Sequence, residues 1–158
     1  MKNNKSRWFA TSIGSFFGVG FIPVAPGTAA SLITVLIAFV LYRYFPMPLI
    51  WEIEIFFILL LIGFISARDL IRHRDIKDPA WFVMDEVAGM WLALIGLPKN
   101  NLIILISAFI CFRVFDIFKP WIIKKAEGLN GAAGIMLDDV LAAVPSWLIC
   151  FAIWKLFL

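Results

Sequence analysis

The sequence predicts an all-α fold, a polytopic membrane helical bundle of about four or five transmembrane or re-entrant helices. Composition is the first observation: 63% of the 158 residues are hydrophobic, 16% are charged, and the mean hydropathy is +0.95. A soluble domain keeps its apolar content near about half and its charged content near about a quarter. The second observation is that the apolar runs lack the two-residue alternation of an outer-membrane barrel. We therefore expect one integral-membrane domain, residues 1–158.

The helices are predicted from apolar runs separated by short turns that contain proline, glycine or polar residues. YFPMP (44–48) separates the first run from the second, and LPKNN (97–101) predicts a tight hairpin between the third and fourth. The third run is shorter and less uniformly apolar, so it is expected to cross the membrane or to be re-entrant. The predicted helices cover residues 29–45, 49–66, 79–97, 101–117 and 136–157.

The distribution of basic residues predicts an orientation. If the chain crosses the membrane five times and its N-terminus is inside, most lysine and arginine residues lie on the same side as the N-terminus. Cytoplasmic loops carry an excess of these residues, so that side is predicted to be cytoplasmic. Glu52 and Glu54 would lie at the opposite interface, where we expect them to be hydrated. Four polar segments share the basic side, so we expect them to form one site there: residues 14–28, 78–90, 112–121 and 131–140.

Five acids in these segments are the main candidates for function. Asp85 and Glu86 are expected about two turns into the third helix, Asp138 and Asp139 in the first turn or so of the fifth, and Asp116 near the end of the fourth. Ionisable groups at membrane depth cost ~3 kcal/mol or more each unless they are paired, hydrated or metal-bound. Like charges at this density need a cation, and a cluster of oxygen ligands suits Mg²⁺. The sequence therefore predicts a divalent-metal site.

Basic residues near these acids predict phosphate binding. Arg113, Asp116 and Lys119 are spaced three residues apart and form one stripe on the fourth helix. Arginine offers a planar fork to phosphate oxygens and lysine a point charge. The alternative is that Arg113 and Asp116 form a structural ion pair.

Two glycine-rich turns could bring backbone N–H groups close to an anion. One contains Gly27 and Thr28, and the other contains Asn130 and Gly131. The alternative is that these glycines serve close helix packing, which is common in membrane proteins.

Four motifs together resemble the phosphatidylglycerophosphatase A family, over nearly the whole chain. They are G-x-G-x-x-P-x-x-P-G-T (18–28), M-D-E-x-x-G-M-W (84–91), F-R-x-x-D-x-x-K-P-W (112–121) and G-x-x-G-I-M-x-D-D (131–139). The family often has a His-Gly-Gly run where this chain has Asn130, Gly131 and Ala132, so no general-acid role is assigned there. The resemblance implies Mg²⁺-dependent hydrolysis of phosphatidylglycerophosphate to phosphatidylglycerol and inorganic phosphate, in the inner membrane of a bacterium.

The resemblance also implies roles for particular residues. It implies that the catalytic and metal-binding residues are Asp85, Glu86, Asp138 and Asp139, with Asp116 as a further catalytic candidate. It implies that Arg113 and Lys119 hold the phosphate and that the loop from Pro23 to Thr28, with Gly27 and Thr28, lines the site. The glycine-rich turns add Asn130 and Gly131 as candidate phosphate-binding residues. The expected partners are the substrate in the bilayer and membrane lipids, with no nucleic acid. Attack by water and attack by a carboxylate such as Asp138 both remain open.

Three other functions compete with this one. An ion-coupled transporter would place its charged groups at the bilayer midplane and often shows paired repeats, which this sequence lacks. A phosphatase acting on other lipid phosphates would use the same groups. A transferase acting on CDP-activated lipids would also use acids and Mg²⁺, but the dense acidic motif of that family is absent.

Overall fold

The computed structural model describes residues 4–45, 47–74 and 79–157, without the side chains of residues 4–7, 73, 74, 121, 122 and 127. Residue 78, the first of the predicted segment 78–90, lies outside the described residues. The described residues form α-helices and one short 3-10 helix (Val19–Phe21), with no strand among them, so the all-α prediction is confirmed. The helices are α1 (Asn4–Gly14), α2 (Pro26–Tyr44), α3 (Leu49–Arg74), α4 (Met84–Leu94), α5 (Leu102–Phe118), α6 (Trp121–Glu127) and α7 (Ala132–Phe157).

Three helices in the described part of the chain are long and apolar enough to cross a membrane. They are α2 over its whole length, α3 from Leu49 to Arg72, and α7 over its whole length. Large apolar side chains on these helices are exposed, among them Leu36, Phe57 and Leu148, as expected for surfaces that face lipid. These long apolar helices are those of a membrane protein.

Helix α4 is the buried centre of the bundle. It has 11 residues, a length of about 16 Å, which is too short to cross a bilayer alone. It packs against α2, α3, α5 and α7, and Met90, Trp91 and Leu94 on it are buried in the core with Phe112 of α5. The predicted third helix is thus a short internal helix whose N-terminus presents two acids.

Two predicted helix starts were wrong. Residues 79–83 form a turn, in which the N–H of Phe82 donates to the carbonyl of Pro79 (2.7 Å) and the N–H of Val83 donates to that of Gly14 (2.8 Å). Asp85 and Glu86 therefore lie in the first turn of α4, not two turns into it. Helix α7 begins at Ala132, so Asp138 and Asp139 lie in its second turn.

The helix directions bring the polar segments to one end of the bundle. Helices α2, α4 and α7 begin at this end, and α5 ends there. Two contacts show this: Gly27 at the start of α2 packs against Glu86 at the start of α4, and Lys119 after α5 contacts Asp138 of α7. At the start of α2, Pro26 occupies a first-turn position where its missing N–H costs no hydrogen bond. This end is called the acidic end below.

The opposite end holds a buried ion pair that corrects one expectation. Glu52 is 3% exposed, and its Oε1 lies 2.8 Å from Nζ of the equally buried Lys99. Its Oε2 accepts a hydrogen bond from the N–H of Gly96 (2.8 Å), and its carbonyl oxygen accepts one from the indole of Trp91 (2.9 Å). Burial lowers the pKa of Lys99, while the contact with Glu52 opposes that shift. Glu52 is therefore paired rather than hydrated, whereas Glu54 is exposed as expected.

Candidate active site

Three acids form a compact group at the acidic end. Carboxylate oxygens of Asp85, Glu86 and Asp139, one from each, all lie within 4.8 Å of one another. Asp139 is buried, while Asp85 and Glu86 are partly buried. The first two lie in the first turn of α4, where free backbone N–H groups and the helix dipole favour negative charge. The N–H of Glu86 donates to Oδ1 of Asp85 at 3.0 Å. We call Asp85, Glu86 and Asp139 the acid cluster.

Glycines allow the helices that carry this cluster to approach closely. A Cβ atom at Gly27 would overlap with the Glu86 carboxylate, and one at Gly89 would lie 2.9 Å from the carbonyl oxygen of Asp139. Helix α2 therefore contacts the start of α4 at Gly27, and α7 contacts α4 at Gly89. Gly89 is the glycine of the motif M-D-E-x-x-G-M-W, but the sequence did not predict its packing role; the signal was a small residue one helical turn after Asp85.

Arg113 lies between two acids. Its Nη1 is 2.7 Å from Oδ2 of Asp116 and 3.9 Å from Oε1 of Glu86. The short contact with Asp116 is not aligned as a hydrogen bond, and among the described residues neither Nε nor Nη1 of Arg113 has a hydrogen-bond partner. The ion pair with Asp116 therefore exists, and the buried Nε and Nη1 of the guanidinium have hydrogen-bonding capacity that the described residues do not use.

Asp138 stands apart from the acid cluster and pairs with a cation. Nζ of Lys119 donates to its Oδ2 at 2.7 Å. Lys119 follows the last residue of α5 in the left-handed conformation, with φ of 40°. The four acids predicted to bind metal are thus arranged as a group of three plus Asp138 beside Lys119. Asp116, the fifth acid, is buried on α5.

The two glycine-rich turns differ in their distance from the acids. Gly27 touches Glu86 directly, and Thr28 beside it is partly buried in the first turn of α2. Asn130 and Gly131 are exposed in the turn that leads into α7. Gly131 has φ of +85°, a left-handed conformation that glycine adopts without strain. Of these four residues, Gly27 has the contact with an acid.

The comparison with protein families matches the sequence of this chain to a known group. The family model described as phosphatidylglycerophosphatase A matches residues 12–154. This chain belongs to the phosphatidylglycerophosphatase A family. The four motifs of the resemblance all contribute to the acidic end, through Gly27, the first turn of α4, Arg113 with Lys119, and the two aspartates of α7.

Curated relatives from three bacteria are similar over most of their length. A protein of Bacteroides thetaiotaomicron, provisionally named phosphatidylinositol-3-phosphatase, is 40% identical over 146 residues, covering 90% of this chain and 92% of the relative. Phosphatidylglycerophosphatase A of Escherichia coli is 32% identical, covering 88% and 78%. The Haemophilus influenzae protein of the same name is 33% identical, covering 89% and 86%. No solved structure matches the chain.

The residues of the acid cluster suit a hard divalent cation. All the donors are carboxylate oxygens, which Mg²⁺ and Ca²⁺ prefer. Within the described part of the chain, Oε2 of Glu86 and Oδ2 of Asp139 are buried and have no hydrogen-bond partner. Buried carboxylate oxygens without partners are costly, and a bound cation would remove that cost. The donor set of Asp85, Glu86 and Asp139 therefore fits such an ion.

Proposed function

We propose that this protein is a Mg²⁺-dependent membrane phosphatase that hydrolyses the phosphate monoester of phosphatidylglycerophosphate. The products are phosphatidylglycerol and inorganic phosphate. The observation that carries the proposal is the acid cluster with Arg113 beside it, at one end of three helices long enough to span a membrane. Family membership and the names of two of the relatives supply the substrate.

The acid cluster would hold the metal through Asp85, Glu86 and Asp139. When bound, Mg²⁺ supplies positive charge that polarises the phosphate monoester. The chain's own contribution is to hold three carboxylates within 4.8 Å in a partly buried site. The low local dielectric there strengthens every interaction with the phosphate.

Arg113 and Lys119 would bind and orient the phosphate. Nη1 of Arg113 is 3.9 Å from Oε1 of Glu86, and Nε and Nη1 are buried without hydrogen-bond partners among the described residues. A phosphate oxygen that enters beside the acid cluster would bind to the guanidinium there. Hydrolysis forms a bond from a water oxygen to phosphorus and breaks the bond from phosphorus to the glycerol oxygen, which takes up a proton. Arg113 would stabilise the negative charge on the phosphoryl oxygens during this displacement.

Asp138 gives the competing version of the mechanism. Its Oδ2 binds Lys119, and its Oδ1 is buried without a hydrogen-bond partner among the described residues. A carboxylate held by lysine in this way could attack phosphorus and form an aspartyl-phosphate that water then hydrolyses. Acid quenching during turnover followed by mass spectrometry of the peptide that contains Asp138 distinguishes the two. A phosphorylated peptide supports the covalent version, and its absence under rapid turnover supports direct attack by water.

The position of the acid cluster suits a lipid whose phosphate is at the membrane surface. The helix ends hold the acids, while the apolar faces of α2, α3 and α7 extend away from them. We propose that this end faces the cytoplasm of the bacterial inner membrane, since basic residues such as Arg68 and Lys124 are exposed near it. A transporter is not favoured, because the acids cluster at one end of the bundle instead of at its centre.

A second candidate substrate comes from the Bacteroides relative. That protein is provisionally named for phosphatidylinositol 3-phosphate and shares 40% identity with this chain. Its named substrate is also a phosphate monoester on a lipid headgroup, so the acid cluster and Arg113 could serve both. The two candidates differ in whether an inositol ring or a glycerol carries the phosphate.

The test is phosphate release by purified protein in detergent, with Mg²⁺ or with EDTA. Wild type should release phosphate from phosphatidylglycerophosphate only with Mg²⁺, and Asp139→Asn should reduce the rate by about a thousandfold. Glu54→Gln is the matched control, since Glu54 is exposed at the opposite end. Release that persists in EDTA or in Asp139→Asn would contradict the proposed site. Faster release from phosphatidylinositol 3-phosphate would replace the proposed substrate with the second candidate.

A further inference from the structure

An apolar groove lies on the outer face of the bundle, between α3 and α7. Its volume is about 330 Å³. Helix α3 lines it with Phe57, Leu60, Leu61 and Phe64, and α7 lines it with Ala133 and Leu137. Both helices are long and apolar enough to cross the membrane. We call this feature the α3–α7 groove.

One end of the α3–α7 groove lies at the same level along the bundle as the acid cluster. Met136 also lines it, and a Cβ atom at Gly63 of α3 would lie 2.6 Å from the Met136 methyl carbon and 3.2 Å from Cγ of Met84. Met84 directly precedes Asp85, and Met136 lies two residues before Asp138. Gly63, between the groove residues of α3, is therefore at the level of the acids.

The groove then leads away from the acids along α3. Helix α3 runs toward the acidic end, so Phe64 is at the near end of the groove and Phe57 at the far end. The two residues are seven positions apart on the helix, which is a rise of about 10 Å. The groove thus extends from the level of the acid cluster toward the membrane interior.

We infer that the α3–α7 groove binds a fatty acyl chain of the lipid substrate while the phosphate of the same molecule lies at the acid cluster. This inference rests on the proposed function. A phospholipid is the ligand that joins a phosphate to a flexible apolar chain, and the groove and the acid cluster lie at the same level along the bundle. The groove residues are apolar, which suits an acyl chain and offers no partner to a polar ligand. The chain in the groove would align the phosphate with the acids and so favour lipid over soluble phosphate esters.

The test measures chain-length preference. Phosphate release is compared for dioleoyl and dihexanoyl phosphatidylglycerophosphate, with Leu61→Trp to fill the groove. The matched control is Ile106→Trp on α5, because Leu61 and Ile106 are similarly exposed, at 59% and 56%. The ratio of kcat/KM for the long-chain over the short-chain substrate should fall about tenfold in Leu61→Trp and stay at the wild-type value in Ile106→Trp. Equal ratios in the two variants would overturn the inference.

A second variant keeps the inference testable if Leu61→Trp does not fold. Ala133→Leu narrows the groove from α7 and should lower the same ratio. Wild type that hydrolyses both substrates equally well would overturn the acyl-chain site while leaving the proposed function intact. Wild type that releases phosphate from neither substrate would overturn the proposed function and this inference with it.

Discussion

The guanidinium of Arg113 shows how one residue can have both a structural and a functional contact. It forms the predicted alternative, an ion pair with Asp116 at 2.7 Å, and it also lies 3.9 Å from Glu86 of the acid cluster. Its side chain is 15% exposed, and its buried Nε and Nη1 have no hydrogen-bond partner among the described residues. The sequence spacing alone could not choose between an ion pair and a phosphate ligand, because the same geometry allows both.

Replacing Arg113 by lysine separates these two roles. Lysine keeps the positive charge for Asp116 but loses the planar fork that binds phosphate oxygens. We expect Arg113→Lys to lower kcat/KM for phosphatidylglycerophosphate by about tenfold to a hundredfold, with little change in thermal stability. Steady-state kinetics and a thermal melt in the same detergent measure both. Full activity with lysine would show that charge alone is needed and would contradict a bidentate phosphate contact.

The acids of the site could be predicted from the sequence, but their arrangement could not. Carboxylates next to apolar helices are costly, so their presence alone indicated a site. Neighbouring residues on a helix point about 100° apart, and the rotation of α7 decides which of Asp138 and Asp139 faces α4. That rotation depends on packing at Gly89 and Phe112, which the sequence pattern does not specify.

At the scale of elements, the contact between α2 and α4 depends on the absence of a side chain at Gly27. A methyl group at Gly27 would overlap with the Glu86 carboxylate. Gly27→Ala should therefore displace Glu86 or the start of α2 and reduce phosphatase activity by about tenfold or more. Phosphate release and metal dependence of the variant would measure this.

Gly128→Ala is the control for that change. Gly128 has an ordinary φ of −71°, and a Cβ atom there would come no closer than 3.3 Å to a carbonyl oxygen. It should keep near wild-type activity. If Gly27→Ala were as active as Gly128→Ala, the contact with Glu86 would not matter for the reaction.

The helices that the sequence did not predict were missed for a common physical reason. Helices α1 and α6 are short and mix charged with apolar residues, so neither forms an apolar run. Helix α4 was predicted too long because residues 79–83 are apolar, yet their hydrogen bonds go to Pro79 and Gly14. Hydrophobicity located the apolar parts of α2, α3, α5 and α7, since burial in lipid or in the core determines them. It missed residues 67–74 of α3, where charged residues end the apolar run, and the first turn of α7.

The Glu52–Lys99 pair joins α3 to the turn between α4 and α5. Both side chains are almost fully buried, so removing one leaves the other as an unpaired buried charge. Lys99→Met should lower the free energy of unfolding by about 3 kcal/mol. The double variant Glu52→Gln with Lys99→Met should recover much of that loss, because no buried charge remains. Chemical unfolding in detergent measures both.

Lys155→Met serves as the control for this comparison, since Lys155 is exposed near the end of α7. It should have little effect on unfolding. A loss in Lys99→Met no larger than in Lys155→Met would mean that the buried pair contributes little to stability.

At the scale of the whole molecule, the two ends of the bundle have different charge arrangements. The acidic end has more acids than its described ion pairs neutralise, with carboxylate oxygens lacking partners. At the opposite end, Glu52 is matched by Lys99 and by the N–H of Gly96. A charge imbalance at one end suits a site that binds a cation and a phosphate, while the balanced end suits a structural role.

The orientation of these ends in the membrane is the last prediction. The acidic end should face the cytoplasm, because exposed basic residues such as Arg68 and Lys124 lie near it. The test uses a variant in which Cys111 and Cys150 are replaced by alanine. A single cysteine is then introduced at Lys124 or at Asn100, which are both exposed and lie at opposite ends of the bundle. In spheroplasts, a membrane-impermeant maleimide should label the cysteine at position 100 and should label the one at 124 only after the membrane is disrupted. The reverse pattern would contradict the cytoplasmic orientation, because it would place the acid cluster and Arg113 on the outer side of the membrane.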